Sequence, residues 1–264
     1  MLFNGKDLYN ASKEGKVDQI KEILLTKGID INYSDPDFQR TSLYRACEKG
    51  YLEIVVLLLN HDQIDVNKPD AQGVTPLMIA CQREWYDVVK ILVLNQSVDV
   101  NQPNNNGITP LIFACQSGNV KMLELLLKNR NELDLNQDVR GFTPFFIACQ
   151  NGQLQVVKIL SKKDIDLNRS DDQGTTPFSI ACYFGHLDVV KYLLTCKKID
   201  ICKPDSQEVT PFKMACEKGY LEIVKVLLED LRIESDKGDI EGATPFYVAC
   251  QNGVAPSISP LSLS

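Results

Sequence analysis

Nine cysteines and two histidines are the residues of this 264-residue chain best suited to cross-linking, metal ligation or proton transfer. Zinc sites want closely spaced pairs such as C-x-x-C, and none occurs; Cys196 and Cys202 stand six apart with no histidine near. His61 and His186 lie in separate contexts, and no H-E-x-x-H, phosphate loop, G-x-S-x-G or Ser-His-Asp arrangement accompanies them. The 35 acidic residues are scattered through turns and polar helix faces without forming an evident acid/base pair. These residues imply a non-catalytic chain with no metal, no cofactor and no small-molecule substrate.

The cysteines are informative in another way. Seven of them close an Ala-Cys pair, at Cys47, Cys81, Cys115, Cys149, Cys182, Cys216 and Cys250. The pair ends a recurring phrase of the form GVTPLMIACQ, and its threonines, Thr41, Thr75, Thr109, Thr143, Thr176, Thr210 and Thr244, recur every 33 or 34 residues. A weaker copy around Asp7–Ser12 precedes them. A fixed period of this size signals a tandem array whose units bury each other's apolar faces. Equivalent helices packed about 8–10 Å apart hold their cysteines too far apart for disulfides, so the ladder reads as reduced packing in a reducing compartment, cytoplasm or nucleus.

Each unit spells out its own elements. Asp70-Ala71-Gln72-Gly73 reads as a turn tip, Thr75 as a helix N-cap and Pro76 as the first helical residue. Leu77, Ala80 and Cys81 then share one narrow helix face. A glycine ends this first helix in every unit but one, where Glu84 requires either a strained left-handed backbone or a changed turn. Val88-Val89 and Leu92-Val93 write a second amphipathic helix, echoed at Ile54-Val55/Leu58-Leu59 and Ile223-Val224/Leu227-Leu228.

The net charge of −7 argues against nucleic-acid binding, which needs clustered cations on one face. The longest apolar runs, such as Ile54–Leu59, fall far short of the roughly 20 residues of a membrane helix, and the N-terminus lacks the cationic and apolar regions of a signal peptide. The expectation is a soluble, non-secreted protein without membrane insertion. The sequons at Asn10, Asn32, Asn95 and Asn168 are then chance matches.

The succession D-x-x-G, T-P-L, two small residues, Gly and L-x-V-V-K-x-L-L resembles the ankyrin repeat across residues 7–253. The resemblance implies an all-α ankyrin-repeat solenoid of about seven and a half helix-turn-helix units joined by hairpin-like turns. Their approximate bounds are 1–32, 33–66, 67–100, 101–134, 135–167, 168–201, 202–235 and an incomplete 236–253, followed by an irregular tail over 254–264. Met78, Ile112, Phe146, Ser179, Lys213 and Tyr247 replace the histidine usual after T-P-L, which removes that residue's inter-unit hydrogen bonds. The first unit has the polar outer face of a terminal cap, whereas Pro256 and Pro260 stand where a last second helix is due, so the segment 244–253 is expected to fray.

By the same resemblance the chain binds other proteins through a concave face made of turn tips and first-helix ends. The matching positions include Gln82 and Arg83; Gln116; Val139, Arg140, Phe142, Gln150 and Asn151. Asp172, Gln173, Tyr183 and Phe184, then Glu217 and Lys218, continue the series. Tyr183-Phe184 put two aromatics where sister units carry polar pairs, which marks them as a binding anchor. Phe38, Phe142 and Trp85 are expected to extend it. Two alternatives accompany this reading: a targeting or regulatory segment of a larger enzyme or channel, and a substrate of an asparaginyl hydroxylase at Asn67, Asn101 and Asn136.

Overall fold

A computed structural model describes residues 3–129, 132–138 and 140–251, with the backbone alone at Asn129, Phe246 and Cys250. Among the described residues fifteen α-helices follow one another in pairs and no strand forms beyond a single bridge, Ser34 to Thr41. The pairs are α1 (Gly5–Glu14) with α2 (Val17–Leu24), α3 (Ser42–Lys49) with α4 (Leu52–Leu59), α5 (Pro76–Gln82) with α6 (Tyr86–Leu94), and α7 (Pro110–Ser117) with α8 (Val120–Asn129). They continue as α9 (Pro144–Gln150) with α10 (Leu154–Leu160), α11 (Pro177–Tyr183) with α12 (Leu187–Leu194), and α13 (Pro211–Glu217) with α14 (Leu221–Leu228), ending on α15 (Pro245–Gln251). The tail expected over 254–264 lies outside the described residues.

Local chemistry starts each pair. The Thr75 hydroxyl accepts the Met78 N–H at 3.2 Å, and Thr41, Thr143, Thr176 and Thr210 cap their helices in the same way. In the preceding turn Asp70 Oδ1 accepts the N–H groups of Gln72 and Val74, an arrangement repeated by Asn104, Asp171, Asp205 and Asp239. Successive turn tips are tied together by single backbone bonds, such as Ser206 N–H to the Gln173 carbonyl at 2.8 Å and Ile240 N–H to that of Gln207 at 3.3 Å.

The helix-ending glycine at 50 takes φ 72°, and Glu84, at the same place in the next pair, keeps the left-handed form at φ 58°. The strained branch of the sequence alternative therefore holds. Gln39 and Glu208 likewise occupy turn-glycine places with φ 56° and 60°. Each such residue stores roughly 1–3 kcal/mol of strain that the surrounding contacts must over-determine.

The chain parts into two compact units, one formed by residues up to Ala114 with Asn119–Asp134, the other by Cys115–Gly118 with residues from Leu135 onward. In the first, α1, α3 and α5 stack in sequence while α2, α4, α6 and α8 stack behind them. In the second, α9, α11, α13 and α15 form one row and α10, α12 and α14 the other. No helix of seven to ten residues is stable alone in water, so each depends on the roughly 1.5–3 kcal/mol that every covered Leu, Val or Ile contributes. Ala148 on α9 is fully buried beside α11. Ala148→Leu is expected to destabilise its unit by about 1–3 kcal/mol through overpacking. An unchanged urea midpoint would contradict this placement.

Two ladders of side chains join neighbouring pairs. Asn67 donates its amide to the Ser97 carbonyl at 2.7 Å and accepts the Asp99 N–H at 2.8 Å; Asn32, Asn101 and Asn168 do the same one pair apart. The second ladder covers the helix-ending turns. Trp85 lies on Gly50 and donates its indole N–H to the Glu48 carbonyl at 3.1 Å, and His186 lies on Gly152 and bonds the Gln150 carbonyl at 2.8 Å. Where Glu84 replaces the glycine, the covering residue is Asn119, whose amide reaches the Glu84 carboxylate at 3.3 Å.

The position after T-P-L is not silent. Tyr9, at its equivalent in α1, donates to Asp35 at 3.1 Å, and Lys213 pairs with Asp239. An inter-unit bond expected to be missing is thus made by other chemistry at these places. Elsewhere Met78, Ile112 and Phe146 fill the space with apolar volume.

Candidate functional site

The second unit carries a surface feature built on two neighbouring aromatic side chains. Tyr183 ends α11 and Phe184 follows it as the C-cap residue, so the helix terminus turns both rings outward, 37% and 44% exposed. The rings meet edge to face with centroids 5.2 Å apart, and Phe184 stacks on His186 at 6.3 Å. His186 is itself held by the Gln150 carbonyl. That support presets the orientation of the aromatic pair from the unit behind it.

Beside Tyr183 runs a groove of about 300 Å³ bounded by α13 and by two successive turn tips. Met214 and Glu217 come from α13, Asp205, Gln207 and Val209 from one turn, and Asp239, Ile240 and Glu241 from the next. The N-cap and turn bonds described above fix the backbone of these walls. Ile240 is 67% exposed at a tip where the other repeats carry Asp37, Ala71, Asn105, Val139, Asp172 or Ser206. The Lys218 ammonium lies 4.0 Å from the centroid of the Tyr183 ring, and the buried Lys213 sits between Asp239 and Glu217.

The other anticipated positions divide. Gln82, Arg83, Gln116, Arg140, Asp172, Gln173, Glu217 and Lys218 are exposed. Asn151 is exposed but folds its amide back onto the Ile147 carbonyl at 2.9 Å, and Gln150 is half-buried. Phe142 packs edge to face on the buried Phe146 at 5.2 Å and belongs as much to the interior as to the surface. Trp85 is committed to Gly50, and Phe38 lies under the Arg40 guanidinium at 4.8 Å. Val139 lies outside the described residues. Glu217, Tyr183 and Lys218 come together at the groove, while Arg140 and Asp172 meet only through the Asp172 N–H and the Arg140 carbonyl.

Ile240, Glu241 and Met214 were not anticipated as site residues. Neither Ile240 nor Met214 had a readable signal, since the sister tip position also holds Val139 and Met214 is written as core. Among the described residues no cluster of His, Cys, Asp and Glu is arranged to hold a metal ion, and no helix is long and apolar enough to cross a membrane. The cysteines at 47, 81, 115, 149 and 182 are buried free thiols, and Cys216 is buried. Asn67 and Asn101 spend both amide groups on the inter-unit ladder, so modification there requires those bonds to open.

Comparison with known proteins adds to this geometry. A family model described as ankyrin repeats in three copies matches residues 8–104, 86–171, 129–205 and 165–239. Acyl-CoA-binding domain-containing protein 6 of Bos taurus is 36% identical over 56 residues, 21% of this chain and 20% of that protein. Its counterpart from Homo sapiens is 32% identical over 56 residues, with the same shares. The chain thus spans about a fifth of the length of the curated relatives it matches.

Proposed function

Since the chain belongs to the ankyrin repeat family, we propose that it acts as a non-catalytic scaffold that captures partner proteins on the face carrying the turn tips and first-helix ends. The observation that carries this reading is the exposed Tyr183-Phe184 pair, of which Tyr183 lines the groove. Aromatics with a preset orientation lose little freedom on contact and shed a large apolar area, which suits them to anchor an interface. The surrounding Gln173, Gln207, Glu217 and Lys218 supply a polar rim, the usual setting of such an anchor. The buried free thiols support a reducing compartment, cytoplasm or nucleus, as the place of action.

Replacing both aromatics by alanine tests the reading. Tyr183→Ala with Phe184→Ala is expected to weaken capture of a bound partner by tenfold or more, since anchor side chains carry about 2 kcal/mol or more each. Cooperative urea unfolding should persist, because neither ring is part of the buried row. Equal capture by the wild type and the double variant, measured by titration calorimetry, would reject Tyr183 and Phe184 as the anchor.

A further inference from the structure

We propose that the groove beside Tyr183 receives a basic side chain, arginine or lysine, from an extended segment of the protein partner. The inference rests on the scaffold reading above and specifies the chemistry of what binds there. Three features of the groove converge on it. Tyr183 forms one of its walls, and that ring already holds a cation: Lys218 stands 4.0 Å from its centroid, the geometry of a cation held by a ring quadrupole. Its floor is apolar: the buried Met214 and half-buried Val209, with Ile240 at the tip beside them, can cover a methylene stem. Its rim is anionic, with Asp205, Glu217, Asp239 and Glu241 lining one small space.

The carboxylates are not all equally engaged. Asp205 and Asp239 spend Oδ1 on turn N–H groups, and Lys213 lies against both Asp239 and Glu217 from beneath. Glu217 and Glu241 are exposed where an incoming group arrives. An anionic segment would add repulsion. A purely apolar one would strip water from the carboxylates without replacing it, at a cost of kilocalories per group. A long side chain with an apolar stem and a cationic head satisfies floor, ring and rim together, and its head displaces Lys218 from the ring. Phe184, next to Tyr183, then meets an apolar neighbour of the basic residue.

The probe is a displayed library of random 12-residue peptides panned against the full chain, followed by titration of the most enriched peptide in synthetic form. Enriched sequences are expected to share an arginine or lysine beside an apolar residue, and changing that basic residue to glutamine should cut affinity about tenfold. Glu217→Gln with Glu241→Gln in the protein should do the same. Lys218→Ala should instead tighten binding several-fold, because it removes the resident competitor; a general loss of structure could not produce that sign. Glu22→Gln with Asp62→Asn, an equal loss of charge in the other unit, should leave binding unchanged. Peptides that need Tyr183 and Phe184 but carry no basic residue would overturn this inference and leave the scaffold reading standing. Peptides indifferent to those two rings, or no enrichment, would overturn both.

Discussion

Lys213→Ala is expected to lower the stability of the second unit by about 2–5 kcal/mol, whereas Lys213→Met should stay within about 1.5 kcal/mol of the wild type. Lys213 is 2% exposed, with its ammonium against Asp239 and 3.6 Å from Glu217. Alanine removes the methylene stem, opens a cavity and leaves Asp239 unpaired. Methionine restores the volume that Met78 supplies at the same place four repeats earlier, and a buried ion pair is often replaced by apolar volume at little cost. Asp239→Asn keeps the turn-forming oxygen but strands a buried cation, and should therefore fall well below Lys213→Met. Urea unfolding of the three variants checks the order; equal stability of Lys213→Ala and Lys213→Met would show that the stem packs against nothing. The Lys213 hydrogen bond holds the Asp239 carboxyl below its ordinary range. A depressed folded pKa gives stability that is present above the unfolded value, about 3.9, and is lost as pH falls through the folded one. Hydrogen exchange over 205–251 should accordingly rise first on acidification below about pH 4.

Raising the pH from 8.5 to 9.5 is expected to weaken the second unit by about 4 kcal/mol and the first by about 2 kcal/mol. Burial pushes the thiols of Cys47, Cys81, Cys115, Cys149 and Cys182 well above their ordinary value and that of Cys216 up to about 12. Folded, they keep their protons through this range; unfolded, they ionise near pH 8.5. The unfolded chain then binds fewer protons, so stability is full below that pH and is lost as pH rises. Each thiol contributes about 1 kcal/mol over the interval. Cys47 and Cys81 belong to the first unit and the other four to the second, where burial also raises the Cys202 thiol, so the second unit's loss is at least twice the first's. Urea midpoints across pH 8–9.5 measure it. A Cys149→Ala, Cys182→Ala variant should lose about half of the second unit's slope; an unchanged slope would mean that other groups titrate.

Much of this molecule was written locally. Thr75 caps, Pro76 starts, Gly50 ends, and Leu77, Ala80 and Cys81 face inward, because each of these tasks depends on residues within a few positions and on a neighbour that repeats the same pattern. The 34-residue period therefore carried the architecture, and the free, buried cysteine ladder followed from it. The polarity break at Tyr183-Phe184 was also legible, since it could be judged against sister positions.

Other features depended on where side-chain ends reach. Sequence placed Trp85 on the surface but could not show that its indole, still 43% exposed, also covers Gly50, and it offered two fates for Glu84 without deciding between them. Loss of the usual histidine suggested a missing inter-unit bond, yet Tyr9 and Lys213 make one to Asp35 and Asp239, each 26 residues away. The groove joins a helix end to turn tips two further steps along the chain, so Ile240 and Glu241 entered it unannounced.

The amino-acid sequence by itself determined the period, the helix pairs, their caps and which faces are buried, since these follow from short-range backbone preferences and from apolar spacing. Only the tertiary structure decided which polar ends pair across units and what stands around Tyr183. Those choices turn on contacts between residues tens of positions apart, and each is worth too little free energy to leave a mark on local pattern.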